Sequence, residues 1–235
     1  MKTKQLFLSL FILAFLLSNT AFAERNEREV SSFSEISLRI SGTVHLEQGN
    51  RQSVRMEAKS STLEEIITEV KGRTLIIRFK NSNIFWRSFN PGRVDIYITV
   101  PEINVLSVSG SGDIVADSKI KSRILDLAVS GSGDISLNYL DTERVKAAVS
   151  GSGDILINKG GGAEELAVAI SGSGNVKAEN FEAKNVEAKI AGSGNCMVHA
   201  ANYLKARVSG SGNILYNGNP QIDTSVVGSG RVKKL

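Results

Sequence analysis

Leu127-Ala128-Val129-Ser130-Gly131-Ser132-Gly133-Asp134-Ile135-Ser136-Leu137 is the stretch whose pattern settles the fold. Its odd-numbered positions are aliphatic or glycine, and its even-numbered positions are polar or small. This two-residue period marks a β-strand with one buried face, and it passes through the glycine pair without losing register. The same register holds from Val145 to Ile157, around Gly151 and Gly153, and from Val186 to Val198, around Gly192 and Gly194.

Outward from this stretch, a small residue followed by Gly-Ser-Gly and usually Asp or Asn occurs seven times, starting at Ser109, Ser130, Ser150, Ser171, Ala191, Ser209 and Val227, at intervals of 18 to 21 residues. A fixed period of about 20 residues means stacked structural units. Of the 22 glycines, 14 belong to these pairs, so the glycine content is architectural. Each pair is expected to form a tight corner, where a Cβ would strike the opposite wall and where positive φ is needed. Coils stacked by parallel hydrogen bonds about 4.8 Å apart would bury the aliphatic positions in one narrow core. The predicted fold is all-β, a parallel β-helix (β-solenoid) of about seven coils over residues 107–235. Pro91, Pro101 and Pro220 lie before the repeats or in the last coil, clear of the ladder strands.

Residues 1–23 read as a secretory signal peptide. Lys2 and Lys4 precede an apolar run from Leu6 to Leu17, and Ala21-Phe22-Ala23 supplies the small-x-small cleavage pattern. The run is short for a membrane span, so cleavage before Glu24 would leave no transmembrane segment. Export places the protein in the periplasm, at the outer surface or outside the cell. The formal charge of +4 loses Lys2 and Lys4 on processing and falls to +2, too weak and scattered for a nucleic-acid partner. Cys196 is the single cysteine and occupies the slot of Ile135 and Ile155 in other copies, so it reads as a core residue.

Residues 24–106 read as a β-rich segment that does not yet repeat and that starts and covers the open end of the solenoid. Alternating runs occur at Phe33–Ile40, Val44–Leu46, Val54–Ala58, Leu75–Phe79 and Val94–Val100, with Lys71-Gly72-Arg73 as a hairpin turn. Ser61-Thr62-Leu63-Glu64-Glu65 suggests a capping box on a short helical turn followed by a strand. At the other end, Arg231, Lys233 and Lys234 put charge on the last coil, which discourages edge pairing.

A β-rich segment with a Phe33-x-x-Ile36 opening that runs into repeated SGSGD and SGSGN copies resembles the bacterial DUF2807 group, the auto-transporter adhesin head GIN domain. The resemblance covers roughly residues 33–230. It implies a parallel β-helix with an adhesion or ligand-binding role and supplies no catalytic residues. The chain ends at Leu235 without a series of membrane-barrel strands, so an autotransporter barrel is not expected within it.

Stacking in register would align Ser132 and Ser152 in one outward row and Asp134 and Asp154 in another. Such rows could hold a glycan, an envelope polymer or a cell-surface protein, or they could simply satisfy corner backbone groups. Two carboxylates about 4.8 Å apart repel by roughly 0.9 kcal/mol in water and about 3.5 kcal/mol at an effective dielectric of 20, which raises calcium as an alternative. No cofactor is indicated. A polysaccharide lyase or hydrolase is the catalytic alternative, but such chemistry needs two carboxylates in distinct environments, and these recur identically. His45 and His199 show no metal-ligand spacing. The one irregular stretch, Asn81 to Gly92, carries Phe85, Trp86, Arg87 and Phe89, suited either to sugar or partner contact or to capping the core.

Overall fold

The structure is a computed structural model that describes residues 24–80 and 90–235. In chain order the strands are β1 (Glu24–Glu27), β2 (Glu35–Leu38), β3 (Thr43–Gln48), β4 (Ser53–Ala58), β5 (Ile66–Lys71), β6 (Thr74–Phe79), β7 (Asp95–Val100), β8 (Val105–Gly110) and β9 (Asp113–Gly131). They continue as β10 (Ile135–Gly151), β11 (Asp154–Ile157), β12 (Gly160–Gly172), β13 (Asn175–Gly192), β14 (Asn195–Gly210), β15 (Asn213–Asn217), β16 (Gln221–Gly228) and β17 (Arg231–Lys234). A single turn of helix, α1 (Ser60–Leu63), joins β4 to β5.

From β8 onward every pairing is parallel and joins each coil to the next, so the chain is a β-solenoid. Seven glycine corners, from Gly110 to Gly230, bound six turns. The predicted register holds: Leu127, Val129, Ile135 and Leu137 are buried, while Ser130, Ser132 and Asp134 are exposed. Aliphatic columns such as Ile114, Ile135, Ile155, Val176, Cys196 and Ile214 stack along the axis as the core.

The reason for the glycines differs from the one expected. A Cβ on Gly153 would lie 2.0 Å from the carbonyl oxygen of Gly133 and 2.7 Å from Cγ1 of Val129. The obstruction is the backbone of the coil beneath, not the opposite wall of the core. The first glycine of each pair does adopt positive φ, +128° at both Gly131 and Gly151.

Parallel stacking also extends into the segment read as non-repeating. β2 lies between β6 and β8, and β3 between β7 and β9, all in parallel. The coil formed by β2 and β3 is therefore covered on one side by a coil that comes later in the chain, that of β6 and β7. Ile40-Ser41-Gly42-Thr43 is its corner: Asp113 N–H donates to the Gly42 carbonyl at 2.9 Å, the bond that Asn213 and Arg231 make at 3.3 Å to Gly194 and Gly212 in the last two corners.

Antiparallel elements finish this end. β5 pairs with β6 across the Gly72 turn, β4 with β7, and β1 with β4. The short helix followed by a strand is present, but no side chain caps it; Lys59 is the N-cap residue. Thr62 is fully buried, and its hydroxyl donates inward to the Pro91 carbonyl at 2.9 Å. A buried hydroxyl needs such a partner more than an exposed helix end needs a cap.

Candidate functional site

The corner builds two parallel rows. The carbonyl oxygen of the first glycine in one coil accepts N–H groups from the Ser and second Gly of the next. Thus Gly131 O receives Ser152 N at 2.8 Å and Gly153 N at 3.1 Å, and Gly151 O receives Ser173 N at 2.9 Å and Gly174 N at 3.0 Å. With the serine backbone pinned, the Ser132 and Ser152 side chains face solvent.

Beside them runs the Asp/Asn row. Asp134 N–H donates to Asp113 Oδ1 at 3.0 Å, Asp154 N–H to Asp134 Oδ1 at 2.7 Å, and Asn175 N–H to Asp154 Oδ1 at 2.9 Å. Asparagines add a second rung, since Asn175 Nδ2 reaches Asp154 Oδ1 at 2.8 Å and Asn195 Nδ2 reaches Asn175 Oδ1 at 3.0 Å. One oxygen of each of these three carboxylates therefore serves the backbone above it. Lys177 Nζ lies 3.4 Å from Asp154 Oδ2 and offsets charge at the top of the acidic portion. Among the described residues, no group of three or more His, Cys, Asp or Glu side chains is placed to hold a metal ion.

A concave site lies just before the corner, on the same outer surface. Register stacks Ala128, Ala148 and Ala169, followed by Lys189 and Arg207, in one row. A second row holds Ser130, Ser150 and Ser171, then Ala191 and Ser209. Together they line an open trough of about 700 Å³ that crosses successive coils. Methyl groups and hydroxyls dominate its first half. Its second half is edged by charge: Lys189 and Lys205 lie 2.9 and 3.0 Å from Glu187, and Arg207 lies 2.6 Å from Asp223. Hydrogen bonds from Lys189 and then Lys205 hold the Glu187 carboxyl below its ordinary range, and the bond from Arg207 does the same for Asp223.

A separate polar cluster decorates the outer face of the first coils. His45 stacks on Tyr97 with ring centroids 4.8 Å apart, and the Arg55 guanidinium lies 4.2 Å over the same tyrosine ring. His45 Nε2 and Asp95 Oδ1 are 3.1 Å apart, and Arg93 donates to both Asp95 oxygens. Burial alone would raise the Asp95 carboxyl, but hydrogen bonds from Arg93 and His45 outweigh it and hold the group below its usual range.

Of the residues singled out by sequence, Ser132, Ser152, Asp134 and Asp154 come together at the corner. Phe85, Trp86, Arg87 and Phe89 lie outside the described residues. Sequence reasoning missed the trough, although aligning the copies would have exposed it: the outward position two residues before the motif is alanine in three successive copies. The His45–Tyr97–Arg55 stack had no such signal, because it depends on pairing between strands that are not neighbours in the chain.

Comparison with known proteins agrees with this architecture. The model of the family DUF2807, "Putative auto-transporter adhesin, head GIN domain", matches residues 32–220. The crystal structure of a putative adhesin from Bacteroides fragilis is similar, at 26% identity and TM-score 0.84, covering 90% of this chain and 96% of that one. A putative lipid binding protein from Parabacteroides distasonis is 25% identical at TM-score 0.77, covering 92% and 98%. A putative adhesin from the same organism shares the fold at 24% identity and TM-score 0.75, covering 92% and 98%. No curated protein matches the chain.

Proposed function

Because the chain belongs to the DUF2807 head GIN domain family, we propose that it is an exported, non-catalytic binding module of the cell envelope that holds a linear glycan or envelope polymer along the trough. The observation that carries this reading is the pair of straight rows, Ala128-Ala148-Ala169 and Ser130-Ser150-Ser171, repeated once per coil. A spacing of about 4.8 Å is close to the length of one sugar ring. Methyls suit the C–H faces of such rings, and hydroxyls suit their edges. Many weak, equivalent contacts along a polymer add up to useful avidity.

Export rests on the signal-like pattern at Lys2, Lys4, Leu6–Leu17 and Ala21-Phe22-Ala23. Among the described residues no helix is long and apolar enough to cross a membrane. Mass spectrometry of the N-terminus in fractionated cells tests this, with Glu24 as the expected first residue. The non-catalytic reading rests on the corner carboxylates, which repeat identically and accept backbone N–H groups. Oligosaccharide release from an envelope or plant polysaccharide that vanishes in Asp134→Asn would overturn it.

The test of the site is a binding screen of the exported protein against glycans and envelope polymers, repeated with Ala148→Trp and Ala169→Trp. Both positions face outward, so Tm should hold while binding falls at least about tenfold. Full binding by both variants would move the site elsewhere. The corner rows and the aromatic segment are then the next places to probe, with Ser152→Lys and Trp86→Ala. A second reading has its own support: the trough's apolar lining also suits an acyl chain, and one similar structure is a putative lipid binding protein. Binding of fatty acids or lipid micelles, with no polymer retained, would select it.

A further inference from the structure

Charge is layered across the trough. Its inner row passes from Ala128, Ala148 and Ala169 to Lys189 and Arg207, and among the described residues these two cations are the only charged side chains that line it. The carboxylates stand one row back, two positions earlier on each strand. Read along the axis, that outer row is Asp126, Lys146, Ala167, Glu187, Lys205 and Asp223. A ligand lying in the trough therefore meets positive charge first.

The pairing leaves donors over. Lys189, Lys205 and Arg207 share the carboxylates of Glu187 and Asp223, so three cations face two anions. Lys146 and Asp126 are neighbours in the outer row and cancel in sum. The Lys189 side chain is 59% exposed and its ammonium touches one carboxylate, which leaves N–H groups unspent. Arg207 commits Nη1 to the carbonyls of Ala206 and Asp223 and Nη2 to Asp223 Oδ2, while its Nε bonds nothing among the described residues. Lys189 and Arg207 stand on adjacent coils, about 4.8 Å apart along the axis, and repel each other. Exposed ion pairs add little to folding, so stability alone gives no reason to set two long cations at the end of a row of alanines.

Resting on the polymer reading of the trough, we infer that the polymer is acidic, a linear glycan of uronic-acid type whose carboxylates meet Lys189 and Arg207 while its ring faces lie on Ala128, Ala148 and Ala169. A carboxylate seated between the two cations accepts from both and relieves their repulsion, a charge-assisted contact that a neutral sugar cannot make. The alanine half then carries the rings, and the cationic half fixes where along the trough the chain stops sliding.

The experiment is retention of the processed protein on polygalacturonate, alginate and hyaluronate, each beside its carboxyl-reduced form, which keeps the backbone and turns the carboxylate into a hydroxymethyl group. The acidic member of at least one pair should bind at least about tenfold more tightly than its reduced form, and the preference should shrink with salt. Lys189→Gln and Arg207→Gln should each remove most of that preference with Tm held. Lys233→Gln, which takes the same charge from β17 across the corner, should leave it intact. Equal binding of both members of a pair, or binding of the reduced forms alone, overturns the inference and leaves the polymer reading standing. Retention of no polymer of either kind removes that reading and this inference with it. A loss in Lys233→Gln as large as in Lys189→Gln, or binding to phosphatidylglycerol vesicles in place of any acidic glycan, also overturns it.

Discussion

From Gly131 to Gly230 each corner rests on glycine backbone directly beneath it, whereas the corner row of the first coils is held by side chains reaching across strands. In the repeats, Asp134, Asp154 and Asn175 accept the N–H of the next coil, so the row is a backbone ladder that any number of copies can extend. The same row continues into the N-terminal coils through Thr43, Asp95 and Glu57. There, Asp95 is fixed instead by Arg93 and His45. A repeated corner is served most cheaply by identical backbone contacts. An end, which has no further copy to lean on, needs charged and aromatic side chains with individual partners.

The largest test of that contrast is a single methyl group. Gly153→Ala puts a Cβ 2.0 Å from the Gly133 carbonyl oxygen, where no side chain can move aside. The loss should reach about 4 kcal/mol or more, in the range of failed folding. Gly72→Ala in the N-terminal hairpin meets nothing within 4 Å and carries only the strain of a positive φ of 64°. It should cost about 1 kcal/mol. Thermal or urea unfolding of the pair checks this; similar losses would mean that stacking clearance is not what the corner glycines provide.

A smaller effect is expected in the ladder. Asp154→Ala removes the acceptor of two hydrogen bonds from Asn175 and should cost about 1–3 kcal/mol, while Asp154→Asn keeps a carbonyl oxygen there and should stay within about 0.5 kcal/mol of wild type. Equal losses in both variants would instead assign the contribution to charge, through Lys177.

Acid should discriminate the two regions next. Asp95 has its folded pKa below the ordinary aspartate value of about 3.9, so its contribution is present above that value and is lost as pH falls through the folded one. Chemical denaturation at pH 7 and pH 3 should therefore show an acid loss that is smaller in Asp95→Asn. Unchanged acid sensitivity in that variant would detach the cluster from stability.

The smallest effect is reserved for Cys196. Burial pushes its thiol up to about 12. Native protein should resist alkylation at pH 8 and react only on unfolding, and Cys196→Val, between Val176 and Ile214, should change stability by less than about 1.5 kcal/mol.

The repeat half was legible because inward and outward positions alternate without a break across seven glycine pairs, a pattern with few competing explanations. The cause of the glycines was less so, since a requirement for a missing Cβ does not reveal which neighbour demands it. The N-terminal coils hid their order because β2, β6 and β8 are short strands of similar aliphatic pattern, and nothing in such strands states which partner each will choose. Ile40-Ser41-Gly42-Thr43 was the available clue to the first corner, weakened by having one glycine instead of two. The corner serines and aspartates could be named from sequence, but the trough emerges only when small residues from separate copies are laid side by side.

The clamp at each Gly carbonyl has a consequence for how such a molecule changes over generations. The corners at Gly133, Gly153, Gly174, Gly194 and Gly212 make the same pair of bonds to the glycine carbonyl beneath, so an in-frame duplication or loss of one motif period among them leaves the remaining corner junctions intact. Reach along the axis can then be lengthened or trimmed a turn at a time, without redesigning either end.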